Sequence, residues 1–159
     1  MVARSTAFAV ILILGSSLSA GAESPQDQMF PRGDSCYARN YGALHLSQHP
    51  DQRVTRFAVS PDFVSDAPRL ALELRLQLRG NSGGAFEAHA ICENQGEATL
   101  YCGMEGDAGG FQITRAKNRG ILITVSSLGM SFENEGGFVT LDRNSGDDRS
   151  FILRPVACK

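Results

Sequence analysis

The chain has 159 residues, 42% of them hydrophobic and 20% charged, with 17 Gly, 6 Pro, 4 Cys, no Trp and a formal net charge of −2. That length suits one domain, and the apolar fraction is that of a folded globule rather than a disordered tail. With 15 Lys and Arg against 17 Asp and Glu, no surplus of positive charge exists to neutralise phosphates, which excludes nucleic acid as a partner.

Residues 1–22 read as a signal peptide. Arg4 supplies a positive start, Ala7 to Leu14 form a short apolar core, and Ala20-Gly21-Ala22 fits the small-x-small cleavage rule before Glu23. The apolar run is too short for a bilayer span, which needs about 20 residues. No later run reaches that length, and no Cys adjoins the cleavage site to carry a lipid. The mature chain is expected in the periplasm or secreted, without stable membrane insertion. Removing residues 1–22 takes away one base and no acid, so the product is slightly more acidic.

Residues 23–33 read as a flexible lead-in and residues 34–159 as a single domain. Asp34-Ser35 can cap a helix from Cys36 to Gln48 that stops at Pro50, with Tyr37, Tyr41, Leu44 and Leu46 as its packing face. Beyond it the chain reads as β. A strand is predicted over Val54–Ser60. In Leu70–Arg79, five leucines alternate strictly with Ala71, Glu73, Arg75, Gln77 and Arg79, the pattern of a strand buried on one face.

After the turn Gly80–Gly84, Phe86, Ala88, Ala90 and Cys92 alternate with Glu87, His89, Ile91 and Glu93. A partner strand sets Ala98, Leu100, Cys102 and Met104 opposite Thr99, Tyr101 and Gly103. Further strands are predicted at Phe111–Lys117, Ile121–Ser126, Met130–Glu133, Phe138–Asp142 and Phe151–Val156, joined by glycine-containing turns. The fold class is all-β: an antiparallel meander of eight or nine strands, a small closed barrel in preference to a sandwich, because closure removes exposed edges. The helix is expected to plug one barrel end, tied by Cys36 to the last strand. Ala88 and Ala90 on the inward face leave either a cavity or close packing.

All four cysteines lie in the mature part, where an oxidising compartment favours pairing, and four cysteines allow three connectivities. Cys92 and Cys102 flank a turn-rich stretch and both fall on the apolar faces of their strands, so they face each other in a hairpin. Cys36 and Cys158 then clasp the two ends of the domain. In the loop-entropy model the clasp contributes up to about 4.8 kcal/mol and the hairpin bridge about 2.7 kcal/mol. No C-x₂₋₄-C pair favours zinc.

Candidate sites are sparse. His45 and His49 are spaced to share a helix face as metal ligands do, with Asp51 nearby. Pro50 pushes His49 out of helical geometry and no third ligand is evident, so polar helix-end roles are favoured and no metal or cofactor is expected. His89 shares the polar face with Glu87 and Glu93 as a solvated cross-strand contact. Cys102–Gly110 is rich in glycine but precedes a strand, which makes it a turn and not a phosphate cradle. Asp142, Asn144, Gly146 and Asp148 mimic the start of a calcium loop without its closing Glu.

No H-E-x-x-H motif occurs, and the glycine-rich Gly80–Gly84 stretch reads as a turn between strands. Glu105 with Asp107, or Glu133 with Glu135, are carboxylate pairs that a hydrolase of envelope polymers would need in a shared cleft.

The pair Cys36-Tyr37, the stretch from His45 to Val54, and the closing Asp148-Arg149-Ser150-Phe151-Ile152-Leu153 with Cys158 resemble a group of small exported bacterial proteins of unassigned function. The resemblance covers most of the mature chain and implies an envelope location. In size and architecture the chain is also similar to periplasmic lysozyme inhibitors, small disulfide-stapled β-barrels, although their Ser-Gly-x-x-Tyr loop is not found here. The expected function is a monomeric, non-enzymatic binding module for a protein, glycan or small apolar ligand. The carboxylate hydrolase is the alternative.

Overall fold

The computed structural model of the chain describes residues 23–31, 35–62, 69–96 and 98–158, so the expected signal segment lies outside the described residues. Two short helices, α1 (Pro25–Met29) and α2 (Ala43–Gln48), accompany nine strands. These are β1 (Cys36–Asn40), β2 (Val54–Pro61), β3 (Leu70–Leu78), β4 (Phe86–Gln95), β5 (Thr99–Met104), β6 (Gly109–Arg115), β7 (Ile121–Asn134), β8 (Gly137–Leu141) and β9 (Ser150–Val156). Strands β1 to β7 and β9 pair antiparallel around a closed barrel, with β1 against β9 as the seam and β8 added to β7 as a hairpin.

The alternation in β3 places Leu72, Leu74 and Leu76 in the interior and Arg75 and Gln77 in water. Small and large residues interleave across the wall: Ala90 lies in register between Leu72 and Met104, and Cys92 lies directly opposite Cys102. Close packing, not a cavity, therefore accounts for Ala90. The Phe57 ring meets Phe132 and Phe151 edge-on, with centroids 5.9 Å and 5.0 Å apart, the arrangement favoured by ring quadrupoles. Both expected disulfides are present, Cys36–Cys158 and Cys92–Cys102.

Three expectations need correction. Residues 36–48 are not one helix. Cys36–Asn40 form β1, held by Tyr37 against Val59 on one side and Cys36 against Val156 on the other. Pairing with two distant strands overrides the local helical pattern, because without β1 the sheet would leave two open edges. Only Ala43–Gln48 is helical, and Leu44, expected to pack, is 76% exposed, while Tyr37 and Tyr41 are buried as expected.

Secondly, the lead-in 23–33 contains structure. Ser24 caps α1 by accepting from the Asp27 N–H at 3.2 Å, and Pro25 occupies the first turn, where its missing donor costs nothing. Met29, 2% exposed, and Phe30 are buried in the core. The Tyr37 hydroxyl donates to the Met29 carbonyl, and the Gln26 N–H donates to Asn94 Oδ1 at 3.1 Å. This segment, rather than residues 36–48, stops the barrel end at which β1 begins and β4 finishes. Five residues are too few to display a helical period.

Thirdly, Ile121–Ser126 and Met130–Glu133 are one strand. The first half of β7 pairs with β6 and β9, and its second half pairs with β8. A bend at Gly129 (φ +80°) joins the halves and carries Phe132 to the interior against Phe57. The bend is crowded: a Cβ on Gly109 would lie 2.2 Å from the Gly129 carbonyl oxygen.

At the barrel end opposite α1 the loop before β9 is fixed by Asp148, a carboxylate only 2% exposed. Its Oδ2 accepts from the Arg53 N–H at 2.9 Å and Arg53 Nε at 3.4 Å, and its Oδ1 accepts from the Val54 N–H at 3.1 Å. Burial of a carboxylate is tolerable here because its lone pairs are met by donors. Asp148→Ala strands two backbone donors, and urea denaturation is expected to show a loss of about 2–4 kcal/mol. Unchanged stability would remove this clamp from the account of the fold.

Candidate functional site

The histidines singled out by spacing form a stack. At the C-terminal end of α2 the rings of His45 and of the capping residue His49 lie 4.4 Å apart at 25°, and Tyr41 extends the column with its centroid 4.9 Å from His45. His45 Nε2 meets Gln52 Oε1 at 2.9 Å, and His49 Nδ1 stands 3.7 Å from Asp147 Oδ2. Asp51 does not join them: its carbonyl lies against Gly146 instead. Among the described residues, no group of three or more His, Cys, Asp or Glu is placed to hold a metal ion. The stack fastens α2 to the loop before β9. Burial pushes the Tyr41 phenol up to about 12, opposed by the Arg39 guanidinium 4.8 Å over its ring and aided by Asp148.

The calcium-like positions do not converge. Asp142 Oδ1 accepts from the Asn144 N–H at 2.8 Å, whereas Asp148 is committed to β2. The Glu105–Ala108 segment is a turn closed by the Ala108 N–H on the Glu105 carbonyl at 3.3 Å.

The outer wall carries the concave surface. Antiparallel register lines up Ala71, Ile91 and Gly103 across β3, β4 and β5, with Glu73 beside His89 and Glu93 beside Tyr101. A concavity of about 640 Å³ lies over this patch, bounded by Asp62, Arg69 and Tyr101. A second, of about 890 Å³, runs between Glu87 and Ala88 on β4, the Glu105–Ala108 turn, and Glu133 and Phe138 of the β7–β8 hairpin. His89, Met104 and Glu105 line both, so the two form one groove.

Two glycines face each other in the register of β5 and β6, for different reasons. A Cβ on Gly110 would lie 2.7 Å from the Cys102 carbonyl oxygen and 3.0 Å from the Tyr101 hydroxyl. Gly103 has no such neighbour: a Cβ there meets nothing within 4 Å, and its φ is not in the left-handed region. Neither packing nor backbone conformation requires glycine at this point of the groove floor. Interior strand glycines occur at bulges, at tight bends and where a ligand or another backbone approaches closely.

The charges along the groove divide into paired and unpaired. Arg69 pairs with Glu93, Arg75 bridges Glu73 at 2.7 Å and Glu87 at 3.1 Å, and His89 Nδ1 stands 3.6 Å from Asp62 Oδ2. Hydrogen bonding to Glu73 raises the Arg75 pKa further. Glu105, Asp107 and Glu133 make no side-chain hydrogen bond or ion pair among the described residues. Glu133 is also the register partner of Glu87, a like-charge pair on adjoining strands that costs stability. Beside it Phe138, the cross-strand partner of Glu133, is 81% exposed.

Of the acids named from the sequence, Glu105, Asp107 and Glu133 therefore line the groove, while Glu135 sits in the β7–β8 turn outside it. Sequence reasoning missed the groove itself. Its one local trace is Gly103, a glycine inside an otherwise alternating strand.

The contrast between glycines is measurable. Gly103→Ala is expected to leave stability unchanged or raise it by about 0.5–1 kcal/mol, since an interior strand glycine carries an entropic cost. Gly109→Ala, at φ +85° and against the Gly129 carbonyl, is expected to lose about 3 kcal/mol or more in denaturant unfolding.

Tyr41 sets a pH limit. Its folded pKa exceeds the ordinary value of 10.0, so its contribution is complete below about pH 10 and is lost as pH rises towards 12. Melting temperature should fall across that window as phenolate absorbance appears, and Tyr41→Phe should blunt the fall. Identical profiles for the two proteins would show that Tyr41 does not titrate from the folded state.

No family model, curated protein or solved structure matches this chain.

Proposed function

We propose that the chain is an exported, non-enzymatic binding module that takes a protein or glycan partner along the outer groove of β3–β5 and the β7–β8 hairpin. The observation that carries this reading is Gly103, an open position on a groove floor that neither packing nor backbone geometry explains. The interior supports it by being occupied: Phe57, Leu72, Leu74, Phe111, Ile123 and Leu153 fill the barrel. Small apolar ligands inside the barrel are therefore disfavoured. An open groove of two joined concavities suits a segment of a polymer.

The sulfur chemistry supports the exported part of this reading. All four cysteines are bridged, which fits an oxidising compartment. No described helix is long and apolar enough to cross a membrane. The resemblance to small exported bacterial proteins adds the cell envelope to this reading. Against hydrolysis, Glu105, Asp107, Glu133 and Glu135 are all exposed, without the dry surroundings that general-acid catalysis on glycosidic bonds uses.

Gly103→Trp tests the proposal by filling the groove from its floor without removing any charge. Glycan and peptide arrays should retain the native protein at some positions and lose them with the variant, while the melting temperature stays the same. Identical array profiles for both proteins, or new chain ends released from envelope polymers by the native protein, would overturn it.

A further inference from the structure

Building on the groove reading, we infer that the occupant is an extended, basic polypeptide segment, its Lys or Arg side chains set among Glu87, Glu105, Asp107 and Glu133 and an apolar or guanidinium face laid on Phe138. Any partner that covers the groove removes water from carboxylates. Glu105, Asp107 and Glu133 have no counter-charge among the described residues. A neutral or acidic partner would leave them buried and unpaired, a large cost, whereas ammonium or guanidinium groups replace the lost hydration with charge-assisted hydrogen bonds.

The neighbouring bases do not relieve this demand. Arg75 is already divided between Glu73 and Glu87, and Arg69 is held by Glu93. In the like-charge register pair Glu87 and Glu133, Arg75 answers Glu87 alone, so Glu133 is the member that a bound cation would satisfy. The groove is not purely ionic. Ala88 and Ala108, half-buried over the core residues Met104 and Phe132, provide an apolar floor, and Phe138 provides an exposed ring at the lip. An aromatic face beside carboxylates suits a guanidinium or a Lys stem, which gains both cation–π attraction and apolar cover. A polypeptide alternating basic and apolar side chains meets both requirements at once, and a cationic polysaccharide meets only the first.

Binding is measured by fluorescence anisotropy on the mature, disulfide-bonded chain. The probe is a short labelled peptide alternating Lys with Val, set against the same peptide with Gln or Glu in place of Lys. The Lys peptide should bind, weaken steeply with salt, and outcompete both controls and chitosan oligomers. Because Glu133 and Phe138 are exposed, their variants should fold normally. Glu133→Lys should weaken binding about tenfold or more, and Phe138→Ala about threefold.

Equal binding of the Gln and Lys peptides, or a silent Glu133→Lys, overturns the basic partner. If Gly103→Trp still abolishes binding in that case, the groove reading stands without it. Stronger competition by chitosan overturns the polypeptide assignment. Absence of binding by every probe, with no response to Gly103→Trp, overturns both.

Discussion

An antiparallel meander closes into a barrel only where its first and last strands meet, and here that seam is β1 against β9. Its ladder is short, three register pairs from Cys36 to Ala38, so the backbone alone supplies few bonds. The Cys36–Cys158 bridge joins the same two chain ends across a sequence separation of 122, removing from the unfolded ensemble most of the freedom that closure would otherwise have to overcome. Closure in turn creates the shared interior in which the alternating leucines of β3 and the aromatic rings of β2, β7 and β9 are dry. Without that seam the sheet would present two open edges and no enclosed core.

Once closed, the interior is spoken for. Phe132 enters through the bend of β7 at one end, and Met29 with Phe30 close the other. The concave surface lies instead on the outer wall, where β7 matters a second time. Its second half leaves the barrel ladder to pair with β8, and this excursion raises Glu133 and Phe138 as one bank of the groove opposite Glu87 and Ala88. One strand therefore both seals the core and shapes the outer surface.

Much of the wall was readable from residues alone. In β3, β4 and β5 the period-two alternation is strong enough to fix the faces, and it places Cys92 and Cys102 on the same side before any pairing is known. The short elements were not readable, because their conformation depends on remote partners. Cys36–Asn40 becomes a strand only because Val59 and Val156 lie alongside it, and Pro25–Met29 is anchored by Asn94 and Tyr37. The groove was hidden for the same reason. Glu87 and Glu133 are far apart along the chain and meet only through the β4–β7 register. The isolated histidine spacing, conspicuous in the sequence, marks a stacking column at a helix end.

Arg53 has a reach that extends beyond its own strand. Its backbone N–H and Nε engage Asp148, while its Nη2 donates to the Thr140 carbonyl on β8 at 2.8 Å. The hairpin bearing Phe138 is thus moored from behind to the start of β2, at a point outside the groove lining. The breadth of the outer groove is thereby tied to a guanidinium that takes no part in lining it, so a substitution at Arg53 would reach the groove's far bank through the backbone of β8 alone.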